Sequence, residues 1–133
     1  GVAKGFCSIN DVKNFHNVLQ NNLIKNGLKP FNNIKFCPHH PDTGFENEIL
    51  KYKVDCNCRK PSSGMVDEII TEFNISNNKS HFVFIGDTEN DLLLSKNFKA
   101  DFYLIKSKLT NFDYSSIENL KIFSNFRDLA QEI

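Results

Sequence analysis

Two pairs of residues at i, i+2 spacing carry the strongest chemical signal in the chain: Cys37-Pro38-His39 and Cys56-Asn57-Cys58. Three thiols and one imidazole form the closed tetrahedral donor set that zinc takes in structural sites. Soft sulfur ligands select zinc over magnesium or calcium. Four cysteines also allow two disulfides, but two short-spaced pairs with a histidine suit a metal better. Arg59-Lys60-Pro61 follows directly, so a metal here would pin two positive charges. A second constellation, Gly86-Asp87-Thr88-Glu89-Asn90-Asp91, follows an apolar run. Two carboxylates four residues apart on a strand-to-helix turn can face a ligand at the carboxyl end of a parallel strand. Such oxygens suit magnesium, which completes its shell with water and phosphate. The same aspartates are equally good helix caps. Joined to Arg59 and Lys60, they supply the basic groups and the cation that a phosphate requires.

These groups need elements to place them. Ser8 as cap and Asp11 three residues on predict a helix with Val12, Phe15, Leu19 and Leu23 on one face. Gly27 stops it and Pro30 prevents continuation. Ile34-Lys35-Phe36 predicts a short strand running into Cys37, followed by an irregular loop over 38–58. Loops of that length are uncommon unless functional or pinned, and zinc would pin this one. Ser62 or Ser63 caps a second predicted helix with Met65, Val66, Ile69, Ile70 and Phe73 on its apolar face. A polar turn spans Asn74 to Ser80. His81 to Ile85 reads as a strand buried on both faces. A third helix is expected from Asn90 to Phe98 with Leu92, Leu93 and Leu94 inside, then a buried strand at Phe102 to Ile105. A last helix is expected from Asn125 to Ile133, packed through Phe126, Leu129 and Ala130. This alternation predicts an α/β fold: a Rossmann-like parallel sheet with helices on both faces, in a single domain over 1–133 with its zinc loop at 37–58.

Composition narrows the function classes. Sixteen basic and sixteen acidic residues cancel, which argues against bulk attraction to nucleic acid or membrane. No apolar run approaches the roughly 20 residues of a spanning helix, and no signal-peptide pattern is present. Reduced, metal-binding thiols make the cytoplasm the expected compartment. Cys7 is left over and reads as a partly buried free thiol.

The motifs resemble a known family. Asp87 and Asp91 in Gly-Asp-Thr-Glu-Asn-Asp resemble the fourth motif of haloacid-dehalogenase-superfamily phosphatases, and Lys60 resembles their third-motif lysine. Cys37-Pro-His-His-Pro with Cys56-Asn-Cys-Arg-Lys-Pro-Ser-Ser-Gly-Met65 is similar to the zinc-loop branch of that superfamily. That branch includes D-glycero-D-manno-heptose 1,7-bisphosphate phosphatases and histidinol-phosphate phosphatases. The long gap between the metal pairs and Gly64-Met65 look like the heptose type. The resemblance implies hydrolysis of a sugar phosphate through an aspartyl-phosphate, with structural zinc on Cys37, His39, Cys56 and Cys58 and catalytic magnesium on Asp87. It also implies that Lys60 neutralises the transferring phosphoryl oxygens and that Asp91 holds Lys60. Arg59 would meet the sugar or a second phosphate, and Lys4 is a further substrate contact. His40 resembles a family residue beside the zinc pair, and is equally readable as a solvated loop histidine. Thr88 departs from the lysine often found after the motif-four aspartate. The implied partner is a small-molecule sugar phosphate, with no nucleic acid and no membrane.

The larger departure is an absence. The superfamily attacks phosphate with the first aspartate of an Asp-x-Asp motif and holds phosphate with a Ser or Thr after the second strand. No Asp-x-Asp occurs in the 133 residues; Asp11 lies in a helix start and Asp42 in the loop. The resemblance places Gly1 to Gly5 just after the second motif, which implies missing N-terminal strands, a chain inactive alone, and an open sheet edge that self-associates. The complete protein is expected to be a monomer. The rival from another class is a non-catalytic, zinc-stabilised binding protein.

Overall fold

The computed structural model describes residues 1–76 and 79–132. Parts of the predicted turn (Asn77, Asn78) and last helix (Ile133) lie outside the described residues. Two compact units emerge, Gly1–Arg59 and Lys60–Ile133.

The first unit opens with helix α1, Ile9–Lys25. Its start follows the predicted box: the Asp11 amide donates to Ser8 Oγ at 3.1 Å and the Asp11 carboxylate accepts from the Ser8 amide at 2.8 Å. Its end is a Schellman turn. Gly27 sits at φ +72°, with Gly27 N–H bonded to the Ile24 carbonyl and Leu28 N–H to that of Leu23, both at 2.9 Å. No α1 side chain is fully buried. Residues 34–36 do not form the expected strand. Three residues make a strand only when a neighbouring backbone offers a ladder, and no ladder forms there among the described residues. The long loop is irregular apart from a 3₁₀ turn at Leu50–Tyr52. The N-terminal segment ties it down: Ala3 N–H donates to the Pro38 carbonyl and Ile49 N–H to that of Ala3, each at 3.0 Å. At Gly5 (φ +75°) a Cβ would fall 1.8 Å from the Asn47 carbonyl oxygen, so only glycine permits this approach.

The second unit holds helix α2 (Gly64–Glu72), strand β1 (Val83–Gly86), helix α3 (Glu89–Asn97), strands β2 (Asp101–Ile105) and β3 (Lys121–Phe123), and helix α4 (Phe126–Ala130). The strands form a parallel sheet in the order β1-β2-β3, with Val83 opposite Asp101 and Tyr103 opposite Lys121. Alternation along β2 sends Phe102 and Leu104 to one face, where Leu92 of α3 covers them. Tyr103 and Ile105 go to the other face, against Leu129 of α4. Helices therefore cover both faces of the central strand, as the sequence pattern implied.

Several expectations fail in detail. β1 is not buried on both faces: α3 covers its Phe84 face, but Val83 and Ile85 on the other face are 43% and 41% exposed, since α4 packs against β3 instead. Leu93 faces outward while Leu92 and Leu94 are buried, since consecutive helical residues are spread around the axis. Phe73 is exposed at the end of α2. Ser63 precedes α2 but its hydroxyl donates to Asp67 at 2.6 Å rather than capping the backbone. In α4 only Leu129 is buried; Phe126 and Ala130 are exposed. Strand β3 is an element that the sequence pattern does not predict.

Candidate functional site

In the first unit the loop gathers the four expected metal ligands. One donor atom from each of Cys37, His39, Cys56 and Cys58 lies within 4.8 Å of the others. Cys58 Sγ is 3.1 Å from Cys37 Sγ and 3.3 Å from Cys56 Sγ, and His39 Nδ1 is 3.2 Å from Cys58 Sγ. Zn–S bonds of about 2.3 Å at tetrahedral angles separate sulfurs by roughly 3.8 Å. A slightly contracted tetrahedron of this kind fits a metal. All four cysteines are free, so no disulfide competes. The thiols divide sharply in acidity. Burial acts to raise Cys56, but hydrogen bonds from Cys58 and Cys37 outweigh it and bring it down to about 7. Burial and the neighbouring thiols push Cys58 up to about 12. Crowded thiolates repel one another, and a divalent cation at their centre removes that obstacle.

Cations gather around the loop. The Arg59 guanidinium donates to the His39 carbonyl at 3.4 Å, which ties it to the Cys/His cluster. Lys4 lies over the Phe45 ring at 4.4 Å, and Lys53 over the same ring at 5.3 Å. Glu48 supports that ring: it accepts from the Gly44 and Phe45 amides and pairs with Lys53 at 2.7 Å. His40 is not a solvated loop histidine. It is buried, its amide bonds the Tyr52 carbonyl, and its ring meets Phe45 edge-on. Burial, then Arg59 and Lys4, hold it below the usual histidine range and favour neutral imidazole.

In the second unit a cavity of about 330 Å³ opens beside Gly86 and Asp87. Lys60, Ile85, Gly86, Asp87, Asp91, Ile105, Ser107 and Phe126 line it. Lys60 and Asp87, remote in sequence, thus share one cleft at the carboxyl ends of β1 and β2. The Lys60 ammonium pairs directly with Asp91 Oδ1. Asp91 Oδ2 accepts from the Thr88 amide at 3.1 Å and the Thr88 hydroxyl at 2.5 Å. The aspartate is therefore both a helix cap and the anchor of Lys60. Burial acts to raise its pKa, but hydrogen bonds from Lys60 and Thr88 prevail and hold it below the usual carboxylate range. Gly86 makes room for it: a Cβ there would lie 2.4 Å from Asp91 Cβ. A carboxylate, an ammonium and an apolar wall in one cleft suit a phosphate ester with its cation. Lys4 and Arg59 belong to the other unit.

Sequence reasoning missed Ser107 and Thr110. The Ser107 hydroxyl donates to Asp87 Oδ2 at 2.6 Å and the Thr110 hydroxyl to the Asp87 carbonyl at 2.8 Å. Their position just past the buried strand β2, where parallel sheets bind ligands, was the available signal. Phe45, Glu48 and Phe126 had none.

Residues 57–128 match the HAD-hydrolase-like family, more than half of the chain. The chain belongs to the HAD-hydrolase-like family. The match takes in Lys60, Asp87, Asp91 and Ser107. This HAD-like chain is 34% identical over 99 residues to the D-glycero-beta-D-manno-heptose-1,7-bisphosphate 7-phosphatase of Pasteurella multocida, covering 74% of the chain and 50% of the relative. It is 33% identical to the enzyme of the same name from Rhodopseudomonas palustris, covering 72% and 49%. A probable D-glycero-D-manno-heptose-1,7-bisphosphate 7-phosphatase from Thermoplasma acidophilum is 29% identical, covering 79% and 58%. The chain thus spans about half the length of the curated relatives it matches. The fold agrees with the crystal structure of a D,D-heptose 1,7-bisphosphate phosphatase from B. bronchiseptica complexed with magnesium and phosphate. The TM-score is 0.75 at 21% identity, covering 99% of this chain and 68% of that one. Among the described residues no helix is long and apolar enough to cross a membrane.

Proposed function

We propose that the complete protein hydrolyses the phosphate monoester of a heptose 1,7-bisphosphate, yielding the heptose 1-phosphate. The observation that carries this reading is the Lys60–Asp91 ion pair in the same cleft as Asp87. The names of the relatives favour heptose bisphosphate over histidinol phosphate. Lys60 offers its ammonium to the phosphoryl oxygens, and Asp91 holds that ammonium in place while staying ionised. Asp87 is the residue that would hold magnesium, a hard cation taken by one or two carboxylates plus phosphate. Bound magnesium supplies neutralisation of phosphate charge. Arg59 and Lys4 are the proposed contacts to sugar or second phosphate. Zinc on Cys37, His39, Cys56 and Cys58 is a structural element that orders the loop bearing Arg59. The covalent step needs an aspartate nucleophile in an Asp-x-Asp motif, and none occurs among the 133 residues. The chain by itself is therefore inactive in this reading, and the proposed setting is the cytoplasm.

Phosphate release by the complete protein tests it, with heptose 1,7-bisphosphate and histidinol phosphate compared at equal concentration. Faster release from the heptose substrate is expected, together with a loss of kcat of about 100-fold or more in Lys60→Met. Equal or reversed rates overturn the choice of substrate. No release from any sugar phosphate supports a non-catalytic zinc-loop protein instead.

A further inference from the structure

Asp87 is the only residue of this chain assigned above to magnesium, and a lone carboxylate on a turn can swing. Octahedral magnesium demands near-ideal directions at about 2.0–2.1 Å, so the orientation of that carboxylate matters. The turn after β2 supplies what the orientation needs. Ser107 Oγ accepts from the Leu109 amide at 2.9 Å, and Thr110 Oγ1 accepts from the Ser107 amide at 3.0 Å. The Thr110 amide closes the turn on the Ser107 carbonyl at 3.2 Å. An amide can only donate, so each hydroxyl is an acceptor in these bonds and keeps its single proton for another partner. Those protons go to Asp87. The Ser107 hydroxyl meets Oδ2 at 2.6 Å, and the Thr110 hydroxyl meets the main-chain carbonyl at 2.8 Å. The polarity of the network is thus set by backbone amides. It can present hydrogen-bond donors, and only donors, to the Asp87 carboxylate and carbonyl. Side chain and main chain of Asp87 are gripped together, through Oδ2 and the carbonyl oxygen.

We propose that Ser107 and Thr110 are positioning residues that orient Asp87 as a divalent-cation ligand, with Ser107 the stronger of the two. The proposal rests on the assignment of Asp87 to magnesium given above. It goes further in naming the turn Ser107–Thr110 as the device that makes a single carboxylate competent. Hydrogen bonds behind a metal ligand typically govern affinity by 10–100-fold.

The test uses the 133-residue chain and Mn²⁺ alone as probe. Affinity is read from water-proton relaxation, and location from broadening of the Gly86, Asp87 and Ser107 amide resonances. Asp87→Asn is expected to abolish the local broadening. Ser107→Ala should weaken Mn²⁺ about tenfold, Thr110→Val less, and Ser107→Thr, which keeps the donor, should restore near wild-type affinity. Local broadening that survives in Asp87→Asn overturns the metal assignment itself, and this proposal with it. Loss in Asp87→Asn with wild-type affinity in Ser107→Ala overturns the positioning role while the metal assignment stands. Equal weakening in Ser107→Thr and Ser107→Ala overturns it too, because packing rather than the donated proton would then be the cause.

Discussion

At the scale of single residues, Asp91 does two jobs with two oxygens. Oδ1 takes Lys60 and Oδ2 takes Thr88. Asp91→Asn removes the charge that holds both. The loss at neutral pH should be about 2 kcal/mol, the scale of hydrogen bonds to a charged group. The pH dependence has a definite sign. The folded pKa is depressed, so the contribution is fully present above the unfolded value of about 4 and fades as pH falls through the folded one. Urea unfolding should therefore show wild type and Asp91→Asn converging below about pH 4. A stability gap independent of pH would mean that packing, not charge, dominates. Gly86 constrains the same carboxylate. Its Cβ would fall 2.4 Å from Asp91 Cβ, so Gly86→Ala must displace the carboxylate. A cost of about 1–3 kcal/mol is expected, with a change in the resonances of the Lys60 side chain.

Among the elements, the loop over 38–58 is the one whose order rests least on secondary structure. Residues 38–58 hold one short 3₁₀ turn, and the hydrogen bonds that tie the loop to Ala3 are few. A metal on four donors would supply the rest of the order. Elemental analysis should find about one zinc per chain, as a closed four-ligand site requires. Chelation, or Cys58→Ser, should accelerate hydrogen exchange at the His40 and Ala3 amides and free the Arg59 side chain. Unchanged protection after metal removal would show that the loop is held by its protein contacts alone. Helix α1 makes a contrast. It is capped at both ends by its own residues but buries no side chain fully. Its stability is thus unusually sensitive to Ser8, and Ser8→Ala should cost about 1 kcal/mol by thermal unfolding.

For the whole molecule, the sheet edge is decisive. β1 pairs on one side only among the described residues, and Val83 and Ile85 are exposed beside it. Unpaired backbone groups along an apolar strand invite further pairing. The 133-residue chain should associate with rising concentration in sedimentation, and Ile85→Lys should shift it toward monomer. A monomer at all concentrations would show that the edge is already protected.

Several local groupings were legible in residue order, because they depend on local spacing. The two i, i+2 pairs of Cys and His, the Ser8–Asp11 box, the Gly27 stop and the Gly86-Asp87 turn are set by residues within one or two turns of chain. Parallel α/β architecture was legible too, from apolar runs of strand length alternating with helical periods. Burial was not. Val83, Leu93 and Phe126 have core-like side chains, yet each is exposed, since burial depends on which neighbours arrive from elsewhere. The strand expected at 34–36 failed for the same reason: a ladder needs a partner. Ser107 and Thr110 escaped notice because hydroxyls on a turn are commonplace until folding brings them to Asp87, 20 residues away for Ser107. The Lys60–Asp91 pair spans 31 residues, and only the parallel pairing of β1 with β2 and the packing of α3 against the sheet create the cleft that joins them. Spacing thus determined which groups were available; the tertiary structure decided which of them meet, because contact depends on distance in space.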